Sequence, residues 1–230
     1  MLAFLGLRAG TVALDLSAAN GYTTELLARA IGSSGTVYSQ SPPASDPSRA
    51  PTPPAAPEGN SNPNIESSAT PAPAEPPRPS AVALAECEVR LQATGVSAAH
   101  IRPVVRPFEA PIPPELERDR LDLVTLMFKY HDLGHLGVDR AAVNRAVFQA
   151  LKPGGHYVIA DHSGRPGTGI SESGTLHRIE EAFLQKEVEA SGFHLQAEAS
   201  FLRKRYDPRD RNTPDPPQPK DEFVLKFVKP

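Results

Sequence analysis

Hydrophobic residues in this chain fall in short runs separated by small or polar turns, and the stretch from Thr11 to Val37 sets the pattern. Val12, Ala13 and Leu14 form an apolar run ending in Asp15, as on an inner strand of a parallel sheet. Ser17, Ala18, Ala19, Asn20 and Gly21 follow, all small or turn-forming, so a ligand can approach the backbone. Leu26, Leu27, Ala30 and Ile31 then recur at helical spacing, with Thr23 or Thr24 as the expected cap and Gly32 and Gly35 as the stop. Val37 and Tyr38 open a second strand. A strand–turn–helix–strand unit of this kind is the usual cradle for a nucleotide-like cofactor.

The periodicity continues beyond a break. From Val82 to Gly95 it predicts a short helix, and Ile101–Phe108 reads as a strand that Pro103 confines to an edge. PIPPELERDR is a polar connector, and Leu121–Phe128 is a second clearly buried strand. Val138–Leu151 is an amphipathic helix stopped by Lys152-Pro153-Gly154-Gly155; His156–Ala160 is the next strand and runs into Asp161-His162. A glycine-rich loop, GRPGTGISESG, precedes a helix over Leu176–Ser191. Phe193–Leu202 and Phe223–Val228 alternate as strands across a charged, proline-rich turn. Alternating units predict an α/β fold: a Rossmann-like, doubly wound, mostly parallel sheet with an antiparallel C-terminal strand, the final pair placing that strand at one edge.

Composition explains the break. Of 230 residues, 26 are proline, and they crowd into residues 42–80, where Ile65 is the one large aliphatic side chain. Nothing there repays the entropy of ordering in a core, so it reads as a disordered, partly polyproline-II insertion in a single domain spanning 1–230. PTPP, PAPAEPP and PPRP are loosely PxxP-like, but Arg49 and Arg78 are the sole basic residues nearby, which favours a spacer over an SH3 ligand. A net charge of −3 gives no electrostatic reason for nucleic acid or an anionic membrane as partner. One cysteine, Cys87, excludes an internal disulfide and a multi-cysteine zinc site. The opening MLAFLGLRAG has too short an apolar core for a signal peptide and leaves little room for an N-terminal helix before the first strand. A cytoplasmic location is the expectation.

Candidate chemistry gathers at predicted strand ends: Tyr130, His131, Asp132 and His135 after one strand, Asp161 and His162 after the next, then His177 and Arg178. In a doubly wound sheet these ends share one crevice. These histidines and two aspartates raise a metal site, but Gly134 inside HDLGH disfavours the helix that would align His131 with His135, so no metal ligands are assigned. Arg178 is expected to pair with Glu180 or Glu181 on a helix surface.

DLSAANGYTTELLARAIG resembles the first motif of class I S-adenosylmethionine-dependent methyltransferases, and FQALKPGGHYVIAD resembles the segment before and along their fifth strand. FHLQAEASFLRKRYDP and EFVLKFVKP resemble their last two strands. LVTLMFKYHDL, VDRAAVNRAVFQALKPGGHYVIADHSGRPGTG and TLHRIEEAFLQKEVEASGF look like a bacterial branch of predicted methyltransferases. The resemblance runs from about Phe4 to the end, apart from the insertion. The family's D-x-G-x-G-x-G appears as Asp15 to Gly21 with just its last glycine, and Gln40 and Ser41 stand where an acid contacts the ribose.

The resemblance implies S-adenosylmethionine as cofactor and a small-molecule methyl acceptor. Asp15 would take the ammonium of its amino-acid head, the turn at Ser17, Ala19 and Gly21 would line its side, and Ser41 would face the ribose. Phe108 and Glu109 would lie at the adenine, and Phe128 beside the methyl-transfer position. Methyl transfer is an in-line displacement that needs a base only when the acceptor must lose a proton. His131 or His162 is the expected base, oriented by Asp132 or Asp161, with Tyr130 beside it. A degenerate, non-catalytic relative acting through the insertion is the alternative.

Overall fold

The computed structural model describes residues 1–43, 80–95, 97–212 and 219–230. The expected insertion therefore lies, apart from its ends, outside the described residues. Helix α1 (Leu2–Leu5) is a single turn where no helix was expected. It leads into β1 (Val12–Leu16), α2 (Tyr22–Ile31), β2 (Thr36–Ser41), α3 (Ser80–Ala93) and β3 (His100–Val105). A 3-10 turn at Pro114–Leu116 precedes β4 (Leu121–Met127), α4 (Tyr130–His135), α5 (Arg140–Ala150) and β5 (Leu151–His162). Helices α6 (Ser173–Leu176) and α7 (Glu181–Glu189) and strands β6 (His194–Ala199) and β7 (Glu222–Val228) complete the order.

The seven strands form one sheet in the order β3-β2-β1-β4-β5-β7-β6. The pairs β1–β2, β1–β4, β2–β3 and β4–β5 are parallel, while β7 runs antiparallel to both β5 and β6. The Rossmann-like expectation holds, including Pro103 on an edge strand. The antiparallel strand is not at the edge, however: β7 inserts between β5 and β6. Chain order reverses between β1 and β4, which opens a crevice at the carboxyl ends of these strands.

Strand alternation divides the core into two layers. Leu14, Leu16, Val124, Leu126, Tyr157 and Ile159 face α4, α5 and α7 through Leu133, Val143, Val147, Leu184 and Val188. Ala13, Val37, Leu123 and Val158 face the other way, onto Leu27, Ile31, Cys87 and Leu91 of α2 and α3. Burial on both faces is why these strands read as continuous apolar runs.

Three local expectations change. Gly21 at φ 80° is the N-cap of α2, and Thr24 lies within the helix instead of capping it. HDLGH does form a short helix despite Gly134. The helix expected over 176–191 is broken, because His177 adopts φ 51° and the chain runs extended through Ile179 before α7 begins.

Candidate active site

The crevice begins with Asp15, one residue before the end of β1 and opposite Thr125 of β4. Its carboxylate is 1% exposed. Oδ2 accepts from Thr24 Oγ at 2.7 Å and Oδ1 from Thr125 Oγ at 2.9 Å. Burial is the larger influence and raises its pKa from 3.8 to about 6 against these hydrogen bonds. Asp15 thus ties β1, β4 and α2 together, with both oxygens turned inward.

The turn after it has an unusual backbone. Ser17 (φ 57°), Ala19 (φ 45°) and Gly21 (φ 80°) all occupy the left-handed region. These are the three glycine positions of the familiar motif. Two side chains therefore hold a conformation that disfavours a Cβ by about 1–2 kcal/mol each. Gln40 clasps this turn: its Oε1 accepts from Ser17 N at 2.9 Å, its carbonyl from Ala18 N at 2.8 Å, and its Nε2 donates to the Arg106 carbonyl at 2.6 Å. Beside it, Ser41 Oγ is buried with no hydrogen-bond partner among the described residues. Phe108 is turned into the core, whereas Glu109 is exposed on the rim of a separate cavity of about 150 Å³ with Arg106, Glu117 and Gln149.

At the ends of β4 and β5, Asp161 organises the histidines. Asp161 Oδ2 accepts from the backbone N–H of His131 at 2.8 Å, and Oδ1 lies 2.6 Å from His131 Nδ1. The other ring nitrogen, Nε2, is 2.9 Å from Asp132 Oδ1. Burial alone would lower the pKa of His131, but hydrogen bonds to Asp132 and Asp161 carry it up to about 9. Both ring nitrogens of His131 therefore face carboxylates.

His162 is different. Its ring stacks on Phe128, with centroids 5.2 Å apart, and lies 5.6 Å from His131. Its Nδ1 sits 3.1 Å from Glu222 Oε1 without the alignment of a hydrogen bond. Phe128, at φ 55°, is bent out of β4 to make this stack. Asp132 also receives Lys129 Nζ at 2.7 Å on Oδ2 and His177 Nδ1 at 3.0 Å on Oδ1, and its pKa is held down by His131 and Lys129 against burial. One ligand atom from each of His131, Asp132 and His177 lies within 4.8 Å of the others.

One expected site residue and one expected surface residue lie elsewhere. Tyr130 is fully buried beneath α5 and α7; its hydroxyl donates to Glu187 at 3.1 Å and accepts from Asn144 at 2.9 Å, so it does not reach the crevice. Arg178 is also fully buried, pairing with Asp207 at 2.9 Å and donating to the Ser163 carbonyl, not lying on a helix surface. Sequence reasoning missed Thr24 and Thr125 as the holders of Asp15. A lone hydroxyl inside the apolar run LDLVTLMF was the available signal. The larger cavity, about 450 Å³, lies at the opposite, amino ends of β1, β4 and β5 beside Arg8, Asp122 and Lys152.

No family model and no curated protein matches the chain by sequence. Solved structures do match in shape. A SAM-dependent methyltransferase from Aquifex aeolicus superposes over 100% of this chain and 87% of its own, with TM-score 0.57 and 14% identity. The chain has the class I methyltransferase fold. Another chain of similar shape is an arsenic(III) S-adenosylmethionine methyltransferase from Chlamydomonas reinhardtii, with TM-score 0.55 and 14% identity over 96% of this chain and 64% of that one. The [4+2]-cyclase SpnF matches as well, with TM-score 0.60 and 14% identity over 100% and 78%. One methyltransferase-like sheet thus underlies more than one named chemistry. Among the described residues, no helix is long and apolar enough to cross a membrane.

Proposed function

We propose that the protein transfers a methyl group from S-adenosylmethionine to a small-molecule acceptor. The observation that carries this reading is the turn after β1, where positions 17, 19 and 21 keep a glycine-type backbone although two of them are not glycine. Left-handed backbone at non-glycine residues persists where surrounding structure and function demand it. The residues also fit the cofactor's chemistry, since the orphaned Ser41 Oγ at the end of β2 offers a hydrogen bond suited to a ribose hydroxyl. The cofactor, when bound, supplies an electrophilic methyl group on a sulfonium.

The chain's own residues then divide the remaining work. The turn backbone from Ser17 to Gly21 and Ser41 would hold the cofactor, and Asp15 fixes the turn's entry through Thr24 and Thr125. Phe128 stacks on His162 and sets its ring at the end of β5. His162, part-exposed at the end of β5, would take a proton from an acceptor hydroxyl or amine. A small acceptor agrees with the absence of a basic surplus, and the arsenic(III) enzyme of this fold has a small acceptor by its name.

Isothermal titration with S-adenosylmethionine and S-adenosylhomocysteine tests the reading. Saturable binding, lost on replacing Ala19 by a bulky side chain, is the expected result; no heat with either ligand would overturn it. The inward-turned carboxylate of Asp15 favours a second reading, a non-catalytic chain that keeps the fold. That reading predicts the negative titration.

A further inference from the structure

We infer that His131, Asp132 and His177 form a binding site for a divalent first-row transition metal, with zinc as its natural class and one coordination position left open. Three donor atoms of the right kind converge. Asp132 Oδ1 lies 2.9 Å from His131 Nε2 and 3.0 Å from His177 Nδ1. Ligands held at about 2.0–2.1 Å around tetrahedral zinc are separated by roughly 3.3 Å; the three atoms here lie within 4.8 Å of one another, so side-chain adjustment would admit the ion.

The surroundings are built as a metal-ligating histidine requires. A ligating imidazole normally gives its other nitrogen to a carboxylate or carbonyl, which fixes the ring and its tautomer. Asp161, fully buried, does this for His131 at 2.6 Å and holds the same residue's backbone N–H. Nε2 is thereby aimed at Asp132. Lys129 takes Asp132 Oδ2 and leaves Oδ1 facing the two imidazoles. Its ammonium also lowers the affinity for a cation.

His177 completes the set through its backbone. The chain leaves α6 at φ 51°, which turns the His177 ring over α4, with its centroid 5.6 Å from that of His131 and 5.7 Å from that of His135. The ring is 41% exposed, with Nδ1 already facing Asp132 Oδ1. His135 lies further out, Nδ1 3.8 Å from Asp132 Oδ1 and 3.1 Å from Ser173 Oγ. Two imidazoles and one carboxylate leave the fourth position of a tetrahedral ion for water or an oxygen or sulfur ligand.

This deepens the methyl-transfer reading, because the cluster lies beside His162 at the same strand ends; metal binding itself does not depend on that reading. The test uses the full chain, freed of metal with a chelator and titrated with Co²⁺ by visible absorption and with Zn²⁺ by calorimetry. A saturable one-to-one tetrahedral Co²⁺ spectrum is expected. His177→Ala, at a half-exposed position that should not endanger folding, should weaken Zn²⁺ at least 10-fold, and Asp132→Asn likewise. Circular dichroism verifies that each variant is folded. No tetrahedral spectrum from the parent, or equal affinity in both variants, would overturn the site and leave adventitious binding at surface histidines. Cofactor titration of the same samples separates failure of the metal site from failure of the methyltransferase reading.

Discussion

Asp161 holds His131 at two points, one carboxylate oxygen on the ring and the other on the backbone N–H that opens α4. A third donor, the backbone N–H of His162, shares Oδ1 at 2.8 Å. One buried side chain on β5 therefore sets the position of a helix on β4 and of the histidines of both strands.

Replacing Asp161 by Ala should strip the buried His131 of its closest acceptor. Removing one partner of a buried pair costs about 3–5 kcal/mol, and a chain of this size should lose roughly 10 °C in melting temperature. Differential scanning calorimetry checks this. A loss near 1 °C would mean that Asp132 alone satisfies the imidazole.

Asp15 predicts an inverted pH dependence. Its folded pKa is raised to about 6 from 3.8, so its contribution to stability is fully present below pH 3.8 and lost as pH rises through 6. Asp15→Asn keeps the neutral form at every pH. The variant should match the parent near pH 4 and exceed it by up to about 3 kcal/mol at pH 7. Urea denaturation at several pH values gives the difference directly; a constant difference across that range would refute the assignment.

The strained turn offers a stabilising change. Ala19→Gly should relieve left-handed strain of about 1–2 kcal/mol while adding about 0.5–1 kcal/mol of unfolded-state entropy. A net gain of roughly 0.5–1 kcal/mol, or a few degrees in melting temperature, is expected without loss of cofactor affinity. Gly21→Ala should do the reverse. Its Cβ would meet Leu84 Cδ2 at 2.9 Å on a backbone already at φ 80°.

Arg178→Ala should be among the most damaging changes outside the crevice. It would leave the fully buried carboxylate of Asp207 without its cation, at a cost of about 3–5 kcal/mol. Limited proteolysis should then cut between residues 203 and 212 first, since Arg178 also donates to the Arg211 carbonyl. Unchanged resistance there would show that Arg209 and Asp221, paired at 2.6 Å, hold the segment by themselves.

Much of the sheet was legible because burial on two faces leaves an unmistakable mark in runs such as Val12–Leu14 and Leu121–Phe128. The place of β7 was not, since Phe223–Val228 alternates as an edge strand would, and insertion between neighbours is decided by pairing across long separations. Site chemistry divided in the same way. Chain order brought His131 and His162 together by placing them after adjacent strands. Whether a ring is free or clamped depends on rotamers and partners such as Asp161, which periodicity does not encode. Tyr130 and Arg178 misled for one reason: long polar side chains read as surface or site groups unless their buried partners, Glu187, Asn144 and Asp207, are known.

The insertion of β7 between β5 and β6 bears on how the molecule assembles during synthesis. Among the described residues, strand β6 pairs with β7 alone, and β7 follows the other six strands along the chain. Until those residues emerge, β6 has nothing to join and β5 stands as an open sheet edge, the kind of surface that recruits other chains. Five strands can associate early; the last two must enter as a pair. Slow release of the C-terminal segment would therefore lengthen the window for aggregation, and any truncation within β7 would leave that window permanently open.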